Sequence, residues 1–281
     1  MTPIYSTITD IRTAVAAERA LGQRIAFVPT MGALHAGHAE LIRLARSHAA
    51  CVVVSVFVNP TQFGPTEDYA RYPRTLEADA ALVEANGATV MFVPTPAEMY
   101  PPGCRTVVDV PGLDAVLCGL RRPGHFRGVC TVVLKLFNIV RPDLAVFGAK
   151  DAQQSIILTR MVRDLDLPIE MVIAPTVREP DGLAMSSRNR YLGAAERAVA
   201  PQIYAALRGT ADRLTAGERT TGVLETGLRQ QLQLIPGARV DYAEILDAES
   251  LTPMPNTTRP MLIAAAVFLG TTRLIDNIVI R

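Results

Sequence analysis

The sequence predicts an α/β protein, a Rossmann-like doubly wound parallel sheet domain with a smaller C-terminal α+β domain. Three observations carry this. Short apolar runs alternate with helix-period segments through residue 176, the pattern of a parallel sheet covered by helices. One run, 51–58, is continuous and rich in β-branched residues, which suits a strand buried on both faces. After Val177 the order changes to helices followed by three strand-like runs. The predicted division is therefore 1–176 and 177–281.

Taken in order, residues 24–28 read as a short apolar strand ended by a Pro/Gly turn. Leu41, Leu44, Ala45 and His48 then recur at helical spacing. With 51–58 they complete a βαβ unit, whose crossover is right-handed in nearly all known cases. A helix over 75–86, stopped by Gly87, leads into a strand at 89–93. Val129, Val132, Val133, Leu136, Phe137 and Val140 form the apolar stripe of a buried helix that stops at Arg141-Pro142. A strand at 144–147, a helix at 151–164 and a strand at 169–173 continue the alternation. In the second part, helices at 194–216 and 221–232 precede strands at 240–246, 261–268 and 274–280. No internal repeat is visible.

Composition narrows the function classes. A chain of 281 residues with 49% hydrophobic and 20% charged residues can bury a core and form about two domains. The 28 basic and 27 acidic residues leave a net charge of +1, so charge gives no case for nucleic acid or an anionic membrane. The longest apolar stretch, 261–270, falls short of the roughly 20 residues that span a bilayer. The start, Met-Thr-Pro-Ile-Tyr, has no secretory pattern. Cys51, Cys104, Cys118 and Cys130 form no CxxC pair and no zinc-type cluster. Cys51 and Cys130 lie in apolar runs, as buried free thiols of a reducing compartment do. The expectation is a cytoplasmic protein without nucleic-acid or membrane partners.

The chemistry concentrates in a few loops. Pro29-Thr30-Met31-Gly32-Ala33-Leu34-His35-Ala36-Gly37-His38 links the first strand to the first helix, where α/β folds bind ligands. N–H groups of the first helical turn offer an anion site, and Gly37 permits close approach of a nucleotide. His35 and His38 share one face of that turn and can donate to phosphate oxygens. A zinc reading of HxxH lacks a third ligand nearby. Phe147-Gly148-Ala149-Lys150-Asp151-Ala152-Gln153-Gln154 again follows a strand and opens a helix, with Lys150 as a compact phosphate charge and Asp151 as a candidate cap. Met185-Ser186-Ser187-Arg188 offers two hydroxyls and a guanidinium, with Gly182 upstream to supply mobility.

The HxGH form on a strand–loop–helix resembles the nucleotidyltransferase superfamily that includes class I aminoacyl-tRNA synthetases. The wider context resembles the pantothenate synthetase family. The matching segments are 29–38, 57–75, 98–101, 122–143, 147–154, 175–192 and 270–278, in family order along nearly the whole chain. The resemblance implies an AMP-forming pantoate–β-alanine ligase acting through a pantoyl-adenylate. It implies catalytic roles for His38, His35 and Lys150, and ATP binding by Met31–His38, Gly148–Asp151, Val177 and Met185–Arg188. Gln62 and Gln154 are implied to bind pantoate, Gln62 also β-alanine. ATP enters as substrate with Mg2+, whose protein ligands stay open, and a homodimer is implied.

Three positions depart from the family pattern: Ala149 and Cys118 replace acidic residues, and Ala152 replaces an aromatic. A nucleotidyltransferase stopping at a dinucleotide, or a non-catalytic nucleotide-binding partner, are the competing readings. A truncated tRNA synthetase is disfavoured by the near-neutral charge.

Overall fold

The computed structural model describes residues 2–65, 67–218, 220–254 and 260–280; Thr66, within the 57–75 segment, lies outside the described residues. The first unit runs β1 (Ile4–Tyr5), α1 (Ile8–Ala20), β2 (Ile25–Thr30), α2 (Ala36–His48), β3 (Cys51–Val56), α3 (Leu76–Ala85) and β4 (Val90–Phe92). It continues through the short α4 (Pro96–Met99) and α5 (Leu117–Arg121) to α6 (His125–Val140), β5 (Leu144–Gly148), α7 (Ala152–Asp164) and β6 (Glu170–Ala174). Its six strands are all parallel, in the order β1-β4-β3-β2-β5-β6. Strand order reverses at β2, which has β3 on one side and β5 on the other. The carboxyl ends of β2 and β5 therefore open a crevice between them.

Side chains alternate across each strand, so one strand feeds two layers. Phe27 and Val53 pack toward Ile11 of α1, Phe137 of α6 and Ile157 of α7. Ala26, Val28, Val52 and Val54 pack toward Ile42 of α2 and Val83 of α3. Helices on both faces make the sheet doubly wound, as the sequence predicts. The buried stripe of α6 ends where Arg141 adopts a left-handed conformation (φ 51°) ahead of Pro142.

The second unit contains α8 (Ala194–Val199), α9 (Gln202–Thr215), α10 (Thr221–Gln233) and an antiparallel sheet of β7 (Ala238–Asp247), β8 (Met261–Leu269) and β9 (Thr272–Ile280). One face of this sheet, with Ile245, Ile263 and Val267, packs on Leu207, Leu224 and Leu228 of α9 and α10. The other face, with Tyr242, Leu246, Leu262 and Ala264, joins the apolar core that contains α6. The two sheets thus share one apolar seam. No described helix is long and apolar enough to cross a membrane.

Some elements differ from the sequence expectations. β1 and α1 precede the first expected strand; α1 buries only Ile11 and Val15, so its stripe is thin. The single helix expected over 194–216 is two, because Pro201 has no N–H for the carbonyl one turn back. Strand ends at 24–28 and 51–58 move to Ile25–Thr30 and Cys51–Val56.

Candidate active site

The loop after β2 is pinned from outside the cleft. Backbone N–H groups of Ala33 and Leu34 donate to the buried Asp79 carboxylate on α3, at 3.1 and 2.8 Å. Gly32 sits at φ +87°, and a Cβ there would stand 3.1 Å from Asp79 Oδ2. These contacts turn Gly32, Ala33 and Leu34 toward α3 rather than the cavity.

α2 is capped by its own histidines. His35 is the N-cap, and its Nδ1 accepts from the Gly37 N–H at 3.1 Å. The His35 N–H in turn donates to His38 Nδ1 at 3.3 Å. His38 and Ala39 N–H groups reach the His35 carbonyl at 2.8 and 3.1 Å. Of the N–H groups that this helix start leaves outside the i→i−4 ladder, those of His35, Gly37 and His38 are therefore already engaged, while Ala39 makes the first ordinary helix bond. Gly37 makes room for the His35 ring itself, since a Cβ would lie 2.8 Å from His35 Cε1.

This geometry fixes the tautomers. Each Nδ1 accepts from a backbone donor, so in the neutral ring the proton resides on Nε2. Burial lowers His35 to about 4, helped by Lys150 and Arg190, and lowers His38 to about 3, helped by His35. Both rings, with centroids 4.1 Å apart, are neutral Nε2–H donors near pH 7.

Lys150 comes from a 3-10 turn, Ala149–Asp151, at the end of β5. Its Nζ lies 3.8 Å from Asp151 Oδ1. The Asp151 side chain does not cap α7, contrary to expectation; the single Ser155 hydroxyl hydrogen is shared between the Gly148 and Asp151 carbonyls, at 3.1 and 3.3 Å, which ties the turn to α7. Opposite, residues 177–185 form a narrow hairpin closed by the Met185 N–H on the Val177 carbonyl at 3.0 Å and turned at Gly182, φ +96°. Ser186 Oγ accepts from the Arg188 N–H at 3.2 Å, and Arg188 lies 3.5 Å from Asp68. Ser187 bonds the Tyr72 side chain.

Gln62, buried at the end of a 3-10 turn (Pro60–Gln62), accepts at Oε1 from Asn59 Nδ2 at 3.0 Å and places Nε2 3.0 Å from Met31 Sδ. Sequence reasoning missed the groups that hold it. Asn59 Oδ1 accepts from Tyr100 and Thr61 hydroxyls at 2.8 and 2.9 Å. His125 Nδ1–H donates to the Gln62 carbonyl at 2.8 Å, because its Nε2 must accept from Arg122 at 2.9 Å. Arg122 grips Glu67 with two bonds of 2.6 Å. Burial and Arg122 lower His125 to about 4. Asn59 lies in the matching segment 57–75 and Arg122 and His125 in 122–143, and a histidine opening an apolar helix was the available signal.

These loops enclose a cavity of about 250 Å³ lined by Met31, His35, Gly37, His38, Gln62, Gly148, Lys150, Asp151, Gln154, Val177, Met185, Ser186, Ser187 and Arg188. Among the expected site residues, Gly32, Ala33, Leu34, Ala36 and Ala149 do not line it. A larger cleft of about 790 Å³ adjoins it against the second sheet and shares Arg122, His125, Lys150, Asp151, Gln154, Ser186 and Arg188. Cys118 reaches that cleft, its Sγ 3.3 Å from the Tyr242 hydroxyl and 3.5 Å from Arg273. Cys51 and Cys130 are buried free thiols pushed up to about 11 and about 12, whereas Cys104 is exposed.

A doubly wound sheet with paired histidines at one switch-point helix and a lysine at the next places the chain among α/β proteins whose site lies at the carboxyl ends of the strands. A family model for pantoate–β-alanine ligase matches residues 3–279. The pantothenate synthetase of Moorella thermoacetica is 51% identical over 278 residues, covering 99% of this chain and 98% of that protein. That of Pseudomonas savastanoi pv. phaseolicola is 53% identical over 274 residues, 97% and 96% of the two chains. The solved pantothenate synthetase of Thermus thermophilus superposes with a TM-score of 0.93 at 45% identity over 99% of each chain. A Francisella tularensis pantoate–β-alanine ligase, complexed with β,γ-ATP and β-alanine, gives 0.80 at 32% identity over 99% and 97%. The chain belongs to the pantoate–β-alanine ligase family and is an enzyme.

Proposed function

We propose that the chain condenses pantoate with β-alanine in two half-reactions. A pantoate carboxylate oxygen attacks the α-phosphorus of ATP and diphosphate leaves. The β-alanine amine then attacks the acyl carbon of the adenylate and AMP leaves. The observation that carries this reading is the pair of neutral Nε2–H imidazoles sharing a cavity with Lys150 and the Ser186–Arg188 loop. Such an array stabilises charge developing on phosphate oxygens while keeping the reactants in line. His35 and His38 donate to the α-phosphate, Lys150 supplies a point charge, and Ser186, Ser187 and Arg188 close on the outer phosphates. Met31, Gly32, Ala33, Leu34, Ala36, Gly37, Gly148, Ala149, Asp151, Val177 and Met185 complete the ATP site, the residues off the cavity wall contributing through the backbone they hold in place. Gln62 and Gln154 orient pantoate, and Gln62 faces β-alanine.

Mg2+ arrives with ATP in this reading. Among the described residues no three His, Cys, Asp or Glu side chains gather around one point, and Mg2+ is commonly held by substrate phosphates. The unit 1–176 binds the substrates and 177–281 serves as lid, its moving part the hairpin ending at Met185–Arg188. The enzyme works in the cytoplasm as a homodimer.

Oxygen-18 in the pantoate carboxylate tests the chemistry. Direct attack on the α-phosphorus leaves one labelled atom on AMP per turnover. Label in inorganic phosphate, with ADP as coproduct, would mean an acyl-phosphate route and overturn the adenylate reading.

A further inference from the structure

β9 lies against both nucleotide loops, touching the Ala149–Asp151 turn and the Ser187–Tyr191 turn. Asn277, near the end of this strand and 7% exposed, extends its carboxamide out of the second sheet. Its Nδ2 donates to the Ala149 carbonyl at 3.0 Å and to the Lys150 carbonyl at 2.9 Å. Both N–H bonds of one amide are thereby spent on the two consecutive carbonyls that frame the Lys150 Cα. The neighbouring Asp276, 5% exposed, accepts the Asn277 N–H at 2.8 Å and grips Arg178 with bonds of 2.7 and 2.9 Å. Arg178 stacks 3.5 Å over the Tyr204 ring and donates to the Gly182 carbonyl at 3.1 Å, bracing the 177–185 hairpin.

Successive strand residues face opposite sides of a sheet, so this dipeptide can hold one loop with each side chain. Short loops without regular hydrogen bonding fix a side chain only as well as their backbone is fixed. Charge stabilisation of a transition state demands placement within about 0.5 Å. Lys150 has a long flexible stem and, among the described residues, an ion-pair neighbour only at 3.8 Å, so its backbone anchor decides where the ammonium can reach. We propose that Asn277 is a positioning residue for the adenylating step: held by Asp276, it sets the Lys150 loop against the hairpin that carries Ser186–Arg188. This rests on the catalytic reading of Lys150 given above.

The test is a double-mutant cycle on the full chain, read by pantoate-dependent ATP–diphosphate exchange. Asn277→Ala and the isosteric Asn277→Asp each remove both donors. Each is expected to lower kcat at least about tenfold while the KM of pantoate moves less than about threefold. In a Lys150→Ala background, the same changes are expected to cost less than about twofold, because the group being positioned is already gone. Wild-type turnover in both Asn277 variants, with Lys150→Ala slow, would overturn the proposal alone. An undiminished loss in the Lys150→Ala background would also overturn it, since Asn277 would then act elsewhere. Failure of both Asn277 variants to fold would make the residue structural and likewise overturn it. Wild-type turnover in Lys150→Ala would instead remove the catalytic reading on which the proposal stands.

Discussion

Replacing His38 by asparagine separates two tasks that one imidazole performs. Asparagine Oδ1 stands close to where Nδ1 was, so it can still accept the His35 N–H that now spans 3.3 Å. It has nothing at the Nε2 position. His38→Asn is therefore expected to fold and melt like the parent yet turn over at least about a hundredfold more slowly, the usual cost of one preorganised donor. Unimpaired turnover would leave His38 as a helix cap only. Lys150→Ala is expected to lose a similar factor. The pH profile follows from the same rings. Their neutral forms persist down to about 4 and about 3, so protonation of these histidines should not erode kcat/KM near pH 6.5; their acid limb belongs below about pH 5. A limb at 6.5 that vanishes in His38→Asn would contradict the burial argument. Gln62→Ala should weaken pantoate about ten- to a hundredfold while sparing ATP, the worth of about 1.5–3 kcal/mol for a hydrogen bond to a charged group. Equal weakening of both substrates would make the glutamine structural.

Elements decide whether those residues meet. α6 approaches the Pro60–Gln62 turn so closely that a Cβ on Gly128 would fall 2.4 Å from the Thr61 carbonyl oxygen and 2.7 Å from the Gln62 nitrogen. Gly128→Ala must therefore push the turn away, at a cost of about 1–3 kcal/mol, and raise the KM of pantoate more than that of ATP. Gly222, exposed on α10 with open space around it, is the control: alanine there should be neutral or stabilising by up to about 1 kcal/mol. Thermal melts and the two KM values check both variants. The close approach illustrates what the sequence could not reveal. β2, β3, β5 and β8 were legible because unbroken apolar runs dictate them, and β7 and β9 because apolar residues still dominate runs that Asp241, Glu244, Asp276 and Asn277 interrupt. β1 was not: two residues become a strand only by pairing Ile4 with Met91 and Tyr5 with Phe92. α1 hid for a related reason, burying just two side chains. The motif loops were legible by resemblance, but the Glu67–Arg122–His125 brace joins residues 55 and 63 positions apart in its key bonds, and no local period records such a pairing. Likewise, the engagement of the Gly37 N–H by the His35 ring and of the His35 N–H by the His38 ring is a matter of ring rotamers, which spacing leaves open.

At the scale of the molecule, the apolar seam ties the two units together. Tyr242, Leu246, Leu262 and Ala264 belong to the same core as α6, and separating them would expose apolar surface at about 25 cal/mol per Å². Under the lid role proposed for residues 177–281, that cost favours closure by the 177–185 hairpin and the Ser186–Arg188 segment over rotation of the whole second sheet. Stability against acid is also a property of the whole fold, and its sign follows from three imidazoles. His35, His38 and His125 are held at about 4, about 3 and about 4, whereas an unfolded histidine titrates near 6.5. Between those values the unfolded chain takes up protons that the native state refuses. The lowered folded values mean that this stability is fully present above about pH 6.5 and is lost as pH falls through about 4 to 3. Each differential proton contributes a slope of about 1.4 kcal/mol per pH unit. Glu67, which burial would raise but the Arg122 guanidinium lowers on balance, adds a later loss of the same sign, below the ordinary carboxylate range. Urea midpoints measured from pH 8 to pH 4 should thus stay level to about 6.5 and then fall steeply. His125→Asn should flatten that fall, since its amide can still donate to the Gln62 carbonyl while carrying no titratable ring. A midpoint that stays level down to pH 4.5 would mean these histidines titrate normally, and the neutral-donor reading of the site would fall with it.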